Sequence, residues 1–296
     1  MSQAVGPNCY SLMIEDKIMC THIDQTDNQN YHVPTMGVGT FRLQGNDAYQ
    51  SVKTALKLGY RHIDTAQVYN NEADVGKAIV DSQIPRSELF ITTKIWMDNL
   101  DPNRFLNSTQ ESLFKLKTDY VDLLLVHWPL NDESIPMSRY LNELRKAKTQ
   151  GFTRHIGVSN FTRKQMQQAI DILGEGEILT NQIELHPYLQ NRSVSEFCQK
   201  HNILVTAYMP FAYGDVLKDK VIQAIAVKHK VTPAQIVLAW IVQQGFATIP
   251  SSTKSKNLAS NLEYEQVQLC AKDMASIAML ERNHRLANPD FAPDWD

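Results

Sequence analysis

Four side chains that could carry out proton-transfer chemistry lie at or just after the ends of apolar segments in this sequence. Asp64 and Tyr69 lie five residues apart in GYRHIDTAQVYNNEADVG, whereas Lys94 and His127 end the runs LFITTK and VDLLLVH. A strand that only packs has no need of such groups, because burying them costs free energy unless they are paired. Each also has an ordinary structural explanation. The aspartate could form a turn, the tyrosine ring could be exposed, the lysine could be solvated, and the histidine could be hydrogen-bonded in the core.

Taken together, the four side chains would deliver a proton to a carbonyl oxygen. A phenol has a pKa of about 10 and is a poor acid at neutral pH. We predict that Lys94 lowers the pKa of Tyr69, while Asp64 keeps the lysine charged and oriented. His127 would donate a hydrogen bond to the same oxygen. This chemistry suits a carbonyl reductase, and the alternative from another class is an isomerase or hydrolase that uses Asp64 and His127 as acid and base.

The elements that position these residues are predicted to be eight parallel strands alternating with helices. The β-rich runs are MGVGTF, HIDTA, LFITTKIW, YVDLLLVHW, HIGVSNF, TNQIEL, ILVTAYM and FATIPSS. Between them, pairs such as Asp101-Pro102 and Thr232-Pro233 are typical of a helix N-cap followed by proline at the first helical position. Eight such units in about 250 residues predict an α/β fold, the (β/α)8 TIM barrel, in which the strand ends share one rim.

A doubly wound sheet is the competing fold, but GVGTFRLQG does not fit the G-x-G-x-x-G turn that it would carry. No Pro/Gly/Ser-rich linker divides the chain, so we expect one barrel domain over residues 33–296. Residues 1–32 are polar and rich in Asn, Gln and Asp, and we expect a loosely ordered extension there. Whether the apolar group at residues 12–14 packs on the barrel stays open.

Composition indicates a globular protein whose partner is a small molecule. Hydrophobic residues make up 43% of the 296 residues, and the formal net charge is -3, which argues against nucleic acid or an anionic membrane as the main partner. The four cysteines and the histidines lack metal-ligand spacing, so we expect no metal site. No apolar run approaches the roughly 18 residues that span a bilayer. We therefore expect a cytoplasmic protein with reduced thiols.

Six segments resemble the aldo-keto reductases: GYRHIDTAQVYNNEADVGKAI, ITTKIW, LLLVHWP, GFTRHIGVSNF, NQIELHPYLQ and IPSS. The resemblance runs from about Pro34 to the C-terminus with the segments in the family's order and spacing. It implies the barrel fold and a catalytic tetrad of Asp64, Tyr69, Lys94 and His127, with Tyr69 as the general acid. A regulatory barrel that binds the cofactor with little turnover is the alternative, although a pure binder needs neither Lys94 nor Asp64.

The resemblance also implies NADPH as the hydride donor. Ser159, Asn160 and Gln182 match the groups that bond the nicotinamide carboxamide, and Tyr208 matches the aromatic residue on which the nicotinamide ring stacks. The flat ring would fix the face of the nicotinamide that meets the substrate.

At the adenosine end, Ser252, Thr253 and Lys254 offer hydroxyl groups and positive charge to a 2′-phosphate. Asn261 matches the residue that bonds the adenine. The sequence departs from the family pattern at two positions, since a lysine and an arginine are usual where this chain has Ser251 and Asn257. We nevertheless favour NADPH over NADH.

The substrate mouth is predicted to include Phe41, Trp96, His127 and Trp128, which follow the ends of strands one, three and four. The C-terminal tail RLANPDFAPDWD is short, so we expect it to leave the mouth open. The resemblance is strongest to a bacterial branch of the family, which implies 2,5-diketo-D-gluconate and methylglyoxal-like carbonyls as substrates. We expect a monomer.

Overall fold

Eight parallel strands form a barrel in the computed structural model, which describes residues 33–132 and 134–296. The strands are β1 (Gly37–Gly39), β2 (His62–Asp64), β3 (Phe90–Ile95), β4 (Val121–Val126), β5 (Thr153–Ser159), β6 (Ile178–Glu184), β7 (Leu204–Tyr208) and β8 (Ala247–Thr248). Each pairs in parallel with the next in chain order. The prediction of an α/β (β/α)8 TIM barrel in a single domain is confirmed, and the predicted extension at residues 1–32 lies outside the described residues.

Helices connect the strands and surround them. They are α1 (Gly45–Leu58), α2 (Glu72–Ser82), α3 (Pro102–Leu116), α4 (Met137–Thr149), α5 (Arg163–Leu173), α6 (Arg192–Lys200), α7 (Lys220–His229), α8 (Pro233–Val242), α9 (Ser255–Leu262) and α10 (Ala271–Ala278). In the part of the chain that the structure describes, no single helix is long and apolar enough to cross a bilayer, and only α7 and α8 taken together, across a sharp bend, have the length and composition.

The barrel closes between its first and last strands. Met36 forms a parallel bridge with Thr248, and the amide of Gly39 donates to the carbonyl of Pro250 at 3.1 Å. A Cβ atom at Gly39 would lie 2.5 Å from the carbonyl oxygen of Ile249, so this close approach requires glycine. The contact brings the segment after β8 beside the segment after β1 at the rim.

The predicted helix starts are confirmed. Asp101 caps α3 by accepting from the amide of Asn103 at 2.8 Å, with proline in the first turn. Thr232 and Gln235 form a reciprocal capping box at the start of α8. The cap at Asp101 fixes where α3 begins after the loop that follows β3.

The alternation of strand residues places the chemical groups inside the barrel. Phe90 at the start of β3 packs with Leu123, Leu125 and Leu179 in a small cluster, whereas Ile91 and Ile95 belong to the larger core that includes helix residues. Lys94 lies four residues after Phe90, and His127 lies two after Leu125. Because successive side chains alternate between faces, both point to the interior at the C-terminal rim.

Candidate active site

A cavity of about 1090 Å³ lies at the C-terminal rim of the barrel. It exceeds the roughly 300–1,000 Å³ that is typical of small-molecule sites, so it has room for an extended ligand beside a small substrate. The predicted site residues that line it are Phe41, Asp64, Tyr69, Trp96, His127, Trp128, Ser159, Asn160, Gln182, Tyr208, Ser252, Thr253 and Lys254. Lys94 does not line the cavity and lies behind Asp64. Asn261 does not line it either, but is buried on α9 beside the hydroxyl of Tyr60.

Lys94 and Asp64 form a buried ion pair at the end of the cavity. The Nζ atom of Lys94 donates to Asp64 Oδ1 at 2.5 Å and to the carbonyl of Thr65 at 2.8 Å. The second oxygen of Asp64 accepts from Gln182 Nε2 at 2.7 Å. Burial lowers the pKa of Lys94, and the charge of Asp64 opposes that shift. Both partners are thus held in one orientation by strands β2, β3 and β6.

Tyr69 ends a short 3-10 turn after β2, so its ring reaches back over the strand ends. Gln44 Nε2 donates to the carbonyl of Tyr69 at 2.7 Å and fixes the turn. The ring centroid lies 5.2 Å from that of Phe41, 5.5 Å from that of His127 and 5.0 Å from Lys94 Nζ. The predicted proximity of tyrosine, lysine and histidine is therefore observed.

The pKa of Tyr69 shifts in the direction opposite to the one that the sequence predicts. Burial raises the pKa of Tyr69 well above its ordinary value, and the negative charge of Asp64 raises it further. Desolvation of the phenolate outweighs the nearby cation, whose charge is shared with Asp64. Tyr69 is therefore protonated, as a proton donor must be before the reaction.

His127 follows β4 and is held through its backbone. Its amide donates to the carbonyl of Ile95 at 3.1 Å, and its carbonyl accepts from Asn160 Nδ2 at 3.0 Å. Burial, followed by the positive charge of Lys94, lowers the pKa of His127 well below its usual value. The ring is therefore neutral. Its Nδ1 atom is buried without a hydrogen-bond partner among the described residues, which favours the tautomer with the proton on Nε2, since an unpaired buried N–H is costly.

The four residues predicted to hold the nicotinamide form a network next to the ion pair. The hydroxyl of Tyr208 donates to Asn160 Oδ1 at 2.7 Å, and Ser159 Oγ donates to the carbonyl of Gln182 at 2.8 Å. Asn160 has a φ of 64°, a left-handed conformation that asparagine tolerates well. Gln182 lines the cavity, and its Oε1 atom accepts no hydrogen bond from a described residue. That free acceptor, beside a flat tyrosine ring, fits the amide group of a nicotinamide.

The far end of the cavity is formed by the segment between β8 and α9. Ser251, Thr253 and Lys254 are exposed there, and Ser252 Oγ accepts from the amide of Lys254 at 3.1 Å. Lys254 is the N-cap of α9 and makes no side-chain capping bond. The start of a helix with a lysine beside it fits an anionic phosphate group, because the helix dipole is positive at that end. Lys256, two residues farther on, does not line the cavity.

Sequence reasoning missed one wall of the cavity, which the C-terminal tail forms. The tail does not leave that side open: Leu286, Ala287, Asn288, Pro289 and Phe291 line it. The ring of Phe291 lies 5.7 Å from that of Trp96 and 5.4 Å from that of Trp128. The available signal was the pair of aromatic residues, Phe291 and Trp295, among the last twelve residues of the chain.

The loop after β7 was also missed. Met209, Ala212 and Tyr213 adopt positive φ angles between 46° and 53°, which curve this loop over the rim. The guanidinium carbon of Arg42, in the loop after β1, lies 5.1 Å from the ring centroid of Tyr213. Since both residues line the cavity, the two loops meet across it.

Comparisons with known proteins agree with this geometry. The Aldo/keto reductase family profile matches residues 35–282. Methylglyoxal reductase DkgB from Escherichia coli O157:H7 is 53% identical over 265 residues, which are 89% of this chain and 99% of that protein. The protein of the same name from Yersinia pestis is 55% identical over 265 residues, with the same coverage.

Solved structures give the same result. A structure provisionally assigned as a 2,5-diketo-D-gluconic acid reductase B superposes with a TM-score of 0.86 at 41% identity, covering 89% of this chain and 94% of that one. The aldose reductase from Schistosoma japonicum superposes with a TM-score of 0.83 at 29% identity, covering 90% and 97%. This chain therefore belongs to the aldo/keto reductase family and is an oxidoreductase that acts on carbonyl compounds.

Proposed function

We propose that this protein reduces small aldehydes and ketones to alcohols with NADPH, and that Tyr69 is the proton donor. The observation that carries the proposal is the pairing of Tyr69 and His127 at the rim, with ring centroids 5.5 Å apart. Behind them lies the buried pair of Lys94 and Asp64. Two neutral donors facing one cavity, with a cation behind, suit an oxygen that gains negative charge.

The chain's own residues account for the proton transfer. A carbonyl oxygen placed between the two rings accepts from the hydroxyl of Tyr69 and from the N–H of His127. As charge develops on that oxygen, Tyr69 releases its proton to it. The phenolate that remains lies beside Lys94, whose Nζ atom is 5.0 Å from the ring centroid. Asp64 keeps that lysine in place.

The residues present fit a nicotinamide cofactor that lies across the rim. When bound, NADPH supplies the hydride. Ser159, Asn160 and Gln182 would hold its carboxamide, and the ring of Tyr208 would support the nicotinamide. Ser252, Thr253 and Lys254 would hold a 2′-phosphate, which is the basis for preferring NADPH to NADH. Asn261 remains the proposed adenine ligand, although it does not line the cavity in this structure.

The proposed substrates are small carbonyl compounds. Phe41, Trp96 and Trp128 line the mouth, and the tail closes another side. The names of the relatives, methylglyoxal reductase and 2,5-diketo-D-gluconic acid reductase B, suggest methylglyoxal and 2,5-diketo-D-gluconate. An aromatic wall close to the tetrad favours compact substrates over large ring systems.

We further infer that the protein acts as a monomer in the cytoplasm, without a nucleic-acid or membrane partner. The two cysteines of the described residues, Cys198 and Cys270, are free thiols, which suits a reducing compartment. Light scattering and cell fractionation test this proposal.

The direct test follows NADPH absorbance at 340 nm with methylglyoxal and, separately, with 2,5-diketo-D-gluconate. We expect the wild-type protein to oxidise NADPH faster than NADH, and the Tyr69→Phe variant to lose turnover by about 10²–10⁴-fold, the usual contribution of a general acid. Equal turnover by the variant would contradict the role of Tyr69. Tight NADPH binding without turnover by the wild type would instead indicate a regulatory binding protein.

A further inference from the structure

The C-terminal tail, defined here as residues 285–296, begins at a buried carboxylate that lies outside the cavity. Glu184 is the last residue of β6 and is completely buried. Its Oε1 atom accepts from the amide of Leu286 at 2.9 Å, and its Oε2 atom accepts from the amide of Ala287 at 2.7 Å. His186 Nε2 lies 2.9 Å from Oε1. These bonds join the barrel wall directly to the tail backbone.

Glu184 makes these bonds as an anion. Burial raises its pKa, but hydrogen bonds from His186 and from the amides of Ala287 and Leu286 outweigh that effect and lower the pKa overall. Hydrogen bonds to a charged acceptor are about twice as strong as those between neutral groups. The attachment is therefore stronger than an ordinary backbone contact.

The tail is attached at a second point beyond the cavity. Asn131 Nδ2 donates to the carbonyl of Phe291 at 2.7 Å and to that of Ala292 at 2.6 Å. Between the two attachments the tail lines the cavity, and the ring of Phe291 packs edge-on against Trp96 and Trp128. The position of Phe291 thus depends on where both attachments hold the backbone.

We propose that Glu184 is a positioning residue for the substrate: by fixing the amides of Leu286 and Ala287 it holds Phe291 in the cavity wall, against Trp96 and Trp128. The inference rests on the proposed carbonyl reduction and deepens it. Glu184 lines no part of the cavity, and its bonds to the amides of Leu286 and Ala287 connect it to the wall that the tail forms. Since Trp96 also packs on His127, with centroids 5.3 Å apart, a displaced Phe291 would widen the space in which the carbonyl is oriented.

The test replaces Glu184 with glutamine, which preserves shape but turns one acceptor into an N–H donor facing the tail amides. We expect hydrogen exchange of a peptide covering the tail to become faster, as measured by mass spectrometry. We also expect KM for methylglyoxal to rise about tenfold, because small displacements of positioning groups are costly. At saturation kcat should stay within about twofold of the wild-type value, and so should the Kd for NADPH, since no side chain of the tetrad or of the proposed cofactor site is replaced.

A second variant covers the case in which Glu184→Gln fails to fold. Asn131 is exposed, so Asn131→Ala removes the attachment at Phe291 and Ala292 without burying an unpaired group. It should also speed exchange in the tail and raise KM. Asn107→Ala, on the exposed face of α3, is the matched control and should change neither quantity.

Each outcome is decisive. Unchanged exchange in both variants would show that these bonds do not hold the tail. Faster exchange with an unchanged KM would show that the tail does not set the substrate pocket. A fall in kcat with an unchanged KM would indicate general structural damage and would also overturn the proposal. If the wild type turned over no carbonyl, the proposed function would fail, whereas the exchange data would still report on the attachment.

Discussion

The two ends of the cavity are built differently. At the tetrad end, Asp64 and Lys94 are fully buried and are tied by short hydrogen bonds to each other and to Gln182. At the far end, Thr253 and Lys254 are exposed, and Lys254 has no carboxylate partner among the described residues. Burying a charge costs desolvation free energy unless a fixed partner compensates it, whereas an exposed charge stays hydrated and is screened by salt. We propose that the buried end governs the chemical step, and that the exposed end governs the recognition of the 2′-phosphate of the cofactor.

The largest expected effect comes from breaking the buried pair. Lys94→Met leaves Asp64 buried without its cation and should lower the free energy of unfolding by about 3–5 kcal/mol. Urea unfolding followed by circular dichroism measures the change. The double variant Asp64→Asn, Lys94→Met should regain part of the loss, because no uncompensated charge remains.

Lys272→Met is the control for this first change. Lys272 is exposed on α10, so its replacement should alter the free energy of unfolding by less than about 0.5 kcal/mol. If Lys94→Met were as mild as Lys272→Met, the tetrad end would not be the rigid region described here.

A smaller effect is expected at the exposed end. Lys254→Ala should weaken NADPH binding about tenfold, equivalent to ~1.4 kcal/mol, with little change for NADH. Lys256→Ala is the matched control, since Lys256 lies in the first turn of α9, two residues after Lys254, but does not line the cavity. Fluorescence titrations with both nucleotides measure the constants, and equal weakening of NADPH and NADH would rule out a 2′-phosphate contact.

The smallest expected effect concerns the phenol of Tyr69, which should not ionise in the ordinary pH range of a phenol. Because burial raises the pKa of Tyr69, its phenol should stay protonated in the nucleotide-free protein past pH ~10, the ordinary value for a phenol. Carbon-13 NMR of tyrosine-labelled protein measures this, with Tyr69→Phe assigning the resonance. Ionisation below that pH would mean that the positive charge of Lys94 outweighs the effect of burial, and that Lys94 lowers the pKa of Tyr69 as the sequence predicts.

Sequence predicted the parts of this molecule that depend on local pattern. The positions of Asp64, Lys94 and His127 at strand ends followed from apolar runs and their terminal polar residues, and the barrel followed from the alternation of strands and helices. Sequence did not predict the pKa of Tyr69, since that depends on how completely the ring and its charged neighbours are buried. The tail was missed because its place depends on hydrogen bonds between residues about 100 positions apart in the chain, such as Glu184 and Leu286.

The claim that Tyr69 serves proton transfer and not cofactor binding is tested most directly by the Kd of the Tyr69→Phe variant for NADPH. Trp96 and Trp128 line the cavity, so quenching of tryptophan fluorescence can report binding. We predict a Kd within about twofold of the wild-type value, since a lost hydroxyl contributes at most a modest hydrogen bond to the bound state. If the Kd for NADPH rose by as large a factor as turnover fell, Tyr69 would hold the cofactor. That result would contradict the claim.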